Sequence, residues 1–275
     1  MALSPLSCNR QLTTAYSRML PVARNEVSTP ADTAGDSVSI SAAGRALQAA
    51  ARQDEIIRGR EHDLLRARGL DETEISAFRA MVTDAAGTDP RSYIATLDSD
   101  QRELLRKANS YGSALSDSAI AAMTDEGVAN LLVTQDYRTY VDYNNDGVVD
   151  HGAAKTFVFP PPNAPTAVKD AWDRTMAELP EGQSPLLACS VFLAMSLQAN
   201  LKTDDAGTVI GTYAPGEEGY TNIFATSVSG WLQLFERTGD YIDWSERVAP
   251  DVQTRRNCER DRELLNRFRA NLSAS

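Results

Sequence analysis

Six residues stand out for the chemistry that their types and spacing allow: Asp142, Asn144, Asp146, Gly147, Val148 and Asp150. Oxygen-bearing side chains recur at the first, third, fifth and ninth places of this run, and glycine takes the sixth. A hard cation such as Ca²⁺ accepts about six to eight oxygen ligands, and alternate residues of a tight turn can aim their side chains at one centre. Gly147 permits the sharp bend, and the carbonyl of Val148 supplies an oxygen at the seventh place. Asp142, Asp146 and Asp150 repel one another when crowded into one loop, and a divalent cation removes that repulsion. Mg²⁺ fits less well, because it prefers a small octahedral shell that keeps several waters. The competing reading is a plain hairpin turn, with Asn145-Asp146-Gly147 joining a strand at Tyr140–Tyr143 to one at Val148–His151 and the acids left in solvent.

The loop resembles the D-x-D-x-D-G calcium loops of EF-hands, dockerin repeats and integrin-type propellers over about a dozen residues. The resemblance implies Asp142, Asn144 and Asp146 as direct side-chain ligands, Val148 as a backbone ligand, and Asp150 as a direct or water-bridged ligand. This chain departs from the EF-hand at the twelfth place, where Ala153 stands instead of a bidentate glutamate. Losing that carboxylate implies modest affinity or help from elsewhere. The flank differs too: Thr156-Phe-Val-Phe-Pro-Pro-Pro162 favours a strand stopped by proline over a second helix. A loop carried by a hairpin and completed with water is therefore expected.

Other chemistries have little to build on. His62 and His151 are the two imidazoles. His62 sits in a charged helical stretch and reads as a solvated residue. His151 with Cys189 as a thiol hydrolase pair is a remote alternative, since Cys189 lies among Leu, Ala, Val and Phe, where a thiol is usually a small buried hydrophobe. Asp204-Asp205-Ala-Gly207 is an acidic turn with the wrong spacing for calcium. Asp170, Asp173, Glu178 and Glu181 could lend the loop a ligand, although a solvated acidic face explains them more simply. Nucleophile-elbow, phosphate-loop, zinc-helix and dinucleotide fingerprints do not occur.

The elements that must position the loop read as mainly helical. Ser, Thr, Ala and Pro dominate residues 1–37, which are expected to form a flexible tail. A helical region over 38–136 opens with a helix that has Ser41 as cap, Leu47, Ala50, Ile57, Leu64 and Leu65 on one face, and Gly69 at its end. Asp71 with Glu74, Asp89-Pro90, Ser99, Ser116 and Thr124 then open short helices. Residues 137–275 hold a small β-hairpin carrying the loop, a helix with Val168, Trp172 and Met176 in register, an apolar core helix opened by Ser184-Pro185, a partly β-like stretch from Lys202 to Tyr220, and two closing helices. Phe224, Val228, Trp231 and Phe235 form the apolar stripe of the first closing helix, and Leu264, Leu265, Phe268 and Leu272 that of the second. The two regions are expected to form one continuous domain.

The chain has 275 residues, 42% of them hydrophobic, which suffices for a folded core. Its net charge of −11 disfavours nucleic acid as a partner. Cys8, Cys189 and Cys258 are too few and too scattered for a disulfide framework. The most apolar stretch, Pro185 to Leu201, is too short and too often interrupted by Ser and Gln to span a bilayer. Without a continuous apolar signal segment, a cytoplasmic location or export without a cleaved signal peptide is expected. The expected function is calcium binding, with one Ca²⁺ stabilising the hairpin and a helical surface that meets a protein partner. The alternative is a metal-free helical interaction protein, and no catalytic residues are assigned.

Overall fold

The computed structural model describes residues 42–179 and 189–274, with side chains from Ala51 onward. The expected tail over 1–37, Cys8, the Ser41 cap, the side chains of Leu47 and Ala50, the Ser184-Pro185 helix start and Glu181 lie outside the described residues. The described chain is mainly helical, with ten α-helices and two small antiparallel two-stranded sheets.

Local signals set most of the helix ends. Helix α1 (Ala42–Ala67) stops where Gly69 adopts φ +83°, and Leu70 N–H reaches back to the Leu65 carbonyl at 3.1 Å while Gly69 N–H bonds Arg66. This left-handed ending satisfies carbonyls that the helix itself leaves open. Helix α2 (Glu72–Ala85) begins with a capping box between Asp71 and Glu74. Helix α3 (Pro90–Thr96) has Asp89 as its cap and Pro90 in its first turn. Helix α4 (Ser99–Ala108) is capped one residue earlier than the sequence suggests: Asp98 accepts from the Gln101 amide and Gln101 returns the bond, so Ser99 is the first helical residue. Ser116 caps α5 (Asp117–Ala121) and Thr124 caps α6 (Asp125–Ala129), which runs into a 3₁₀ turn at Asn130–Leu132.

Strand β1 (Val149–His151) pairs with β2 (Ala154–Thr156), with Asp150 opposite Lys155. Here the hairpin reading needs correction. The Asn145-Asp146-Gly147 segment is not the turn of a hairpin between 140–143 and 148–151; the strands meet across Gly152-Ala153, and the acidic loop precedes them, with only Val149 and Asp150 entering β1. Ala153 is exposed in that two-residue turn, so the twelfth place brings no oxygen side chain to the loop.

Helix α7 (Thr166–Ala177), α8 (Ser190–Ala199), the hairpin of β3 (Leu201–Thr203) and β4 (Val209–Thr212), α9 (Val228–Arg247) and α10 (Val252–Ser273) complete the described chain. Asp204 folds the β3–β4 turn by accepting from the Ala206 and Thr208 amides, consistent with its reading as a plain loop. In α9, Trp231, Leu234, Phe235, Thr238 and Ile242 are buried, whereas Val228 is 38% exposed at the first turn and leaves the expected stripe.

Two buried apolar clusters result. Leu65, Phe78, Ile94, Leu105 and Leu131 belong to the first, drawn from the helices before the acidic loop. The second, drawn from the residues after the loop, is aromatic: Phe159 stacks on Phe192 at 4.7 Å between ring centroids, and Trp172, Trp231, Phe235 and Phe268 surround them. Beside the loop, an ionic network bridges α1 and α7. Arg60 pairs with Asp136 at 2.6 Å and Asp173 at 3.1 Å, Arg138 pairs with Asp170 and Asp173, and Tyr137 donates to Asp173 at 2.7 Å. Asp170 and Asp173 thus serve this junction and not the acidic loop.

Candidate metal centre

The acidic loop folds through its own short side chains. Asp142 Oδ2 accepts from Gly147 N–H at 2.9 Å, and its Oδ1 from Asp146 N–H at 3.1 Å. Asn144 Oδ1 accepts from the same Asp146 amide at 2.9 Å, and Asp146 Oδ1 from Val148 N–H at 2.9 Å. This ladder of side chain to backbone bonds is what Asp and Asn favour in turns. Gly147 sits at φ +79°, a conformation that favours glycine, and a Cβ there would lie 2.7 Å from the Asn222 side-chain oxygen, which would have to shift. Asn145, at φ +55°, takes the left-handed region that Asn tolerates better than most residues.

Side chains remote in sequence fix the loop from both sides. From α6, Glu126 accepts from Tyr143 N–H at 2.8 Å and from Asp150 N–H at 2.7 Å. Thr124 donates to Asp150 Oδ2 at 2.8 Å while also capping α6. Asn130 Nδ2 donates to the carbonyls of Val141 and Asp150, and its Oδ1 accepts from Val141 N–H at 2.8 Å. From the other side, Asn163 donates to the Asp142 carbonyl, Tyr220 to the Asp146 carbonyl and Asn222 to the Asn145 carbonyl.

The electrostatics are unusual for a surface turn. Asp142, Asp146, Asp150 and Glu126 are only 5%, 6%, 7% and 4% exposed. Burial, and Asp146 beside it, raise the Asp142 carboxyl from its ordinary value against the amide bonds that favour its charge. Burial likewise raises Glu126, with Asp142 and Asp150 adding to the effect. Among the described residues the one cation paired with this group is Lys155, whose ammonium lies 2.8 Å from Asp150 Oδ1. Four carboxylates thus face one ammonium.

The donor set suits a hard cation: all oxygen, with Asp142, Asn144, Asp146, Asp150 and the Val148 carbonyl within one loop. Each carboxylate oxygen has two lone pairs, so an accepted amide bond leaves capacity for a metal. Their present rotamers are not gathered for one. Among the described residues no three His, Cys, Asp or Glu side chains surround a common point, and the Asp150 oxygens are turned to Thr124 and Lys155.

The remaining candidates are engaged otherwise. His62 bonds Glu72 at 3.1 Å on the surface. His151 Nε2 meets Asn109 Oδ1 at 2.8 Å. Cys189 belongs to the aromatic core, where burial pushes its thiol up to about 12, so no thiolate is formed near neutral pH. The sequence reading had no hold on Glu126, Asn130, Lys155, Asn163, Tyr220 or Asn222. Thr124 is marked in the sequence only as the start of a short helix. Comparison with protein-family models, curated proteins and solved structures finds no match to this chain.

Proposed function

We propose that this chain is a calcium-binding protein whose loop Asp142–Asp150 holds one Ca²⁺ through Asp142, Asn144, Asp146, the Val148 carbonyl and Asp150. The observation that carries this reading is the buried excess of negative charge. Buried charges are normally paired, because leaving them unpaired costs several kcal/mol. Here one ammonium faces four carboxylates, in a loop whose backbone already bends as a calcium loop requires.

The bound ion would act on the junction between the two clusters. Glu126, Thr124 and Asn130 hold the loop from the first cluster's side, while Asn163, Tyr220 and Asn222 hold it from the other. Binding energy becomes local folding energy, which keeps the helices on either side in one arrangement for a protein partner. A metal-free interaction protein is the second reading, favoured by the dispersed rotamers and by the Lys155–Asp150 pair.

Hydrogen exchange decides between them. With Ca²⁺ in place of a chelator, the amides of Asp146, Gly147 and Val148 are expected to exchange at least tenfold more slowly. Equal rates in both conditions would favour the metal-free reading.

A further inference from the structure

We infer that the tip of the α9–α10 helix pair is a docking site for an acidic protein segment, which Trp244 anchors and Arg247, Arg255 and Arg256 hold by their charge. This inference goes beyond the calcium reading and stands without it. Arg237, Tyr241, Trp244 and Val248 follow one another at helical spacing, which gives one stripe along α9, and the rings of Tyr241 and Trp244 lie 6.1 Å apart between centroids. Trp244, Val248 and Val252 are 50%, 54% and 64% exposed, so the turn from α9 into α10 carries three large apolar side chains in solvent. Val248 N–H bonds the Trp244 carbonyl at 3.2 Å and Val252 opens α10, which keeps the three at one end of the pair.

Charge sets the chemistry of the occupant. Arg237, Arg247, Arg255 and Arg256 are exposed and form no ion pair among the described residues, in a chain whose net charge is −11. Most acids near them are already engaged: Asp243 and Glu246 hold Arg262 at 2.7 and 2.6 Å across the two helices, and Asp251 caps α10 by accepting from the Thr254 amide at 2.7 Å. Of the acids in 237–259, Asp240 and Glu259 have no such partner among the described residues. Unpaired arginines thus outnumber unpaired carboxylates at the tip, and a guanidinium matches a carboxylate through two parallel hydrogen bonds. Tryptophan, tyrosine and arginine are also enriched where proteins meet and lysine is depleted, and residues 237–256 contain no lysine. An anionic bilayer fits less well. Its uniform charge would press against Asp240, Asp243, Glu246 and Asp251 together, whereas a peptide can place its carboxylates beside the arginines alone.

The test is fluorescence anisotropy of a labelled synthetic peptide of about three heptads, with Leu along its seam and Glu flanking it, titrated with the full chain. The wild type is expected to bind with a Kd of roughly 10–100 µM and to weaken as salt rises. Trp244→Ser, and separately the pair Arg247→Glu, Arg255→Glu, are each expected to lose about tenfold or more in affinity. The pair Arg52→Glu, Arg58→Glu, on α1, makes the same change in net charge and is expected to match the wild type. All five positions are exposed, so each variant is expected to unfold at the wild-type temperature. Equal binding by the wild type and every variant, or no binding by the wild type, would overturn the docking site. Binding to phosphatidylserine vesicles in place of the peptide would overturn the choice of a protein and assign the tip to a membrane surface.

Discussion

At the scale of single residues, the loop shows which side chains local spacing can reveal. Asp142, Asn144, Asp146 and Gly147 were legible because each acts within five residues of itself, as an acceptor for a nearby amide or at a positive φ. Glu126 was not, because its amide partners lie 17 and 24 residues away and no periodicity links them. His151, next to the loop, carries a consequence for acid stability. Burial first, and then the charge of Arg68, lower it from 6.5 to about 4. The folded state thus keeps His151 neutral while the unfolded chain protonates it near its ordinary value, so its contribution is complete above pH 6.5 and is lost as pH falls toward 4. In chelator, urea unfolding is expected to show the wild type losing roughly 2 kcal/mol more than His151→Gln between pH 7 and pH 4.5. Parallel losses would contradict a half-buried imidazole held neutral.

At the scale of elements, caps and stripes were readable because they are local: Asp71 with Glu74, Asp89 with Pro90, Ser116 and Thr124 all sit where the sequence places them. The competing turn reading fails because Asn-Asp-Gly suits both a tight β-turn and a calcium-type loop, and what decides between them is tertiary. Gly147 packs against Asn222 and Phe224, and Tyr220 and Asn222 hold the neighbouring carbonyls, so the segment closes on itself before β1 begins. Asn130 is the stitch on the other side, fully buried and bonded to both ends of the loop. Asn130→Ala leaves the Val141 N–H and the carbonyls of Val141 and Asp150 without these partners. Chemical denaturation is expected to show a loss of about 2–4 kcal/mol, since unsatisfied buried groups cost about 1–3 kcal/mol each and water relieves part of this. A loss below about 0.5 kcal/mol, the scale of an ordinary surface change, would contradict that role.

At the scale of the whole molecule, two apolar clusters flank a polar seam that contains the acidic loop and the Arg60, Arg138 and Asp173 network. No helix among the described residues is long and apolar enough to cross a membrane. The seam was the least legible part of the fold, because its bonds join residues from Arg60 to Asn222 that share no local pattern. This seam carries the buried carboxylates on which the proposed cation would act. The most direct measurement is a calorimetric Ca²⁺ titration of the wild type beside Asp142→Asn, Asp146→Asn. Saturable binding of one ion, lost in the double variant, is the expected result; no heat from the wild type, or equal heat from both, would contradict it.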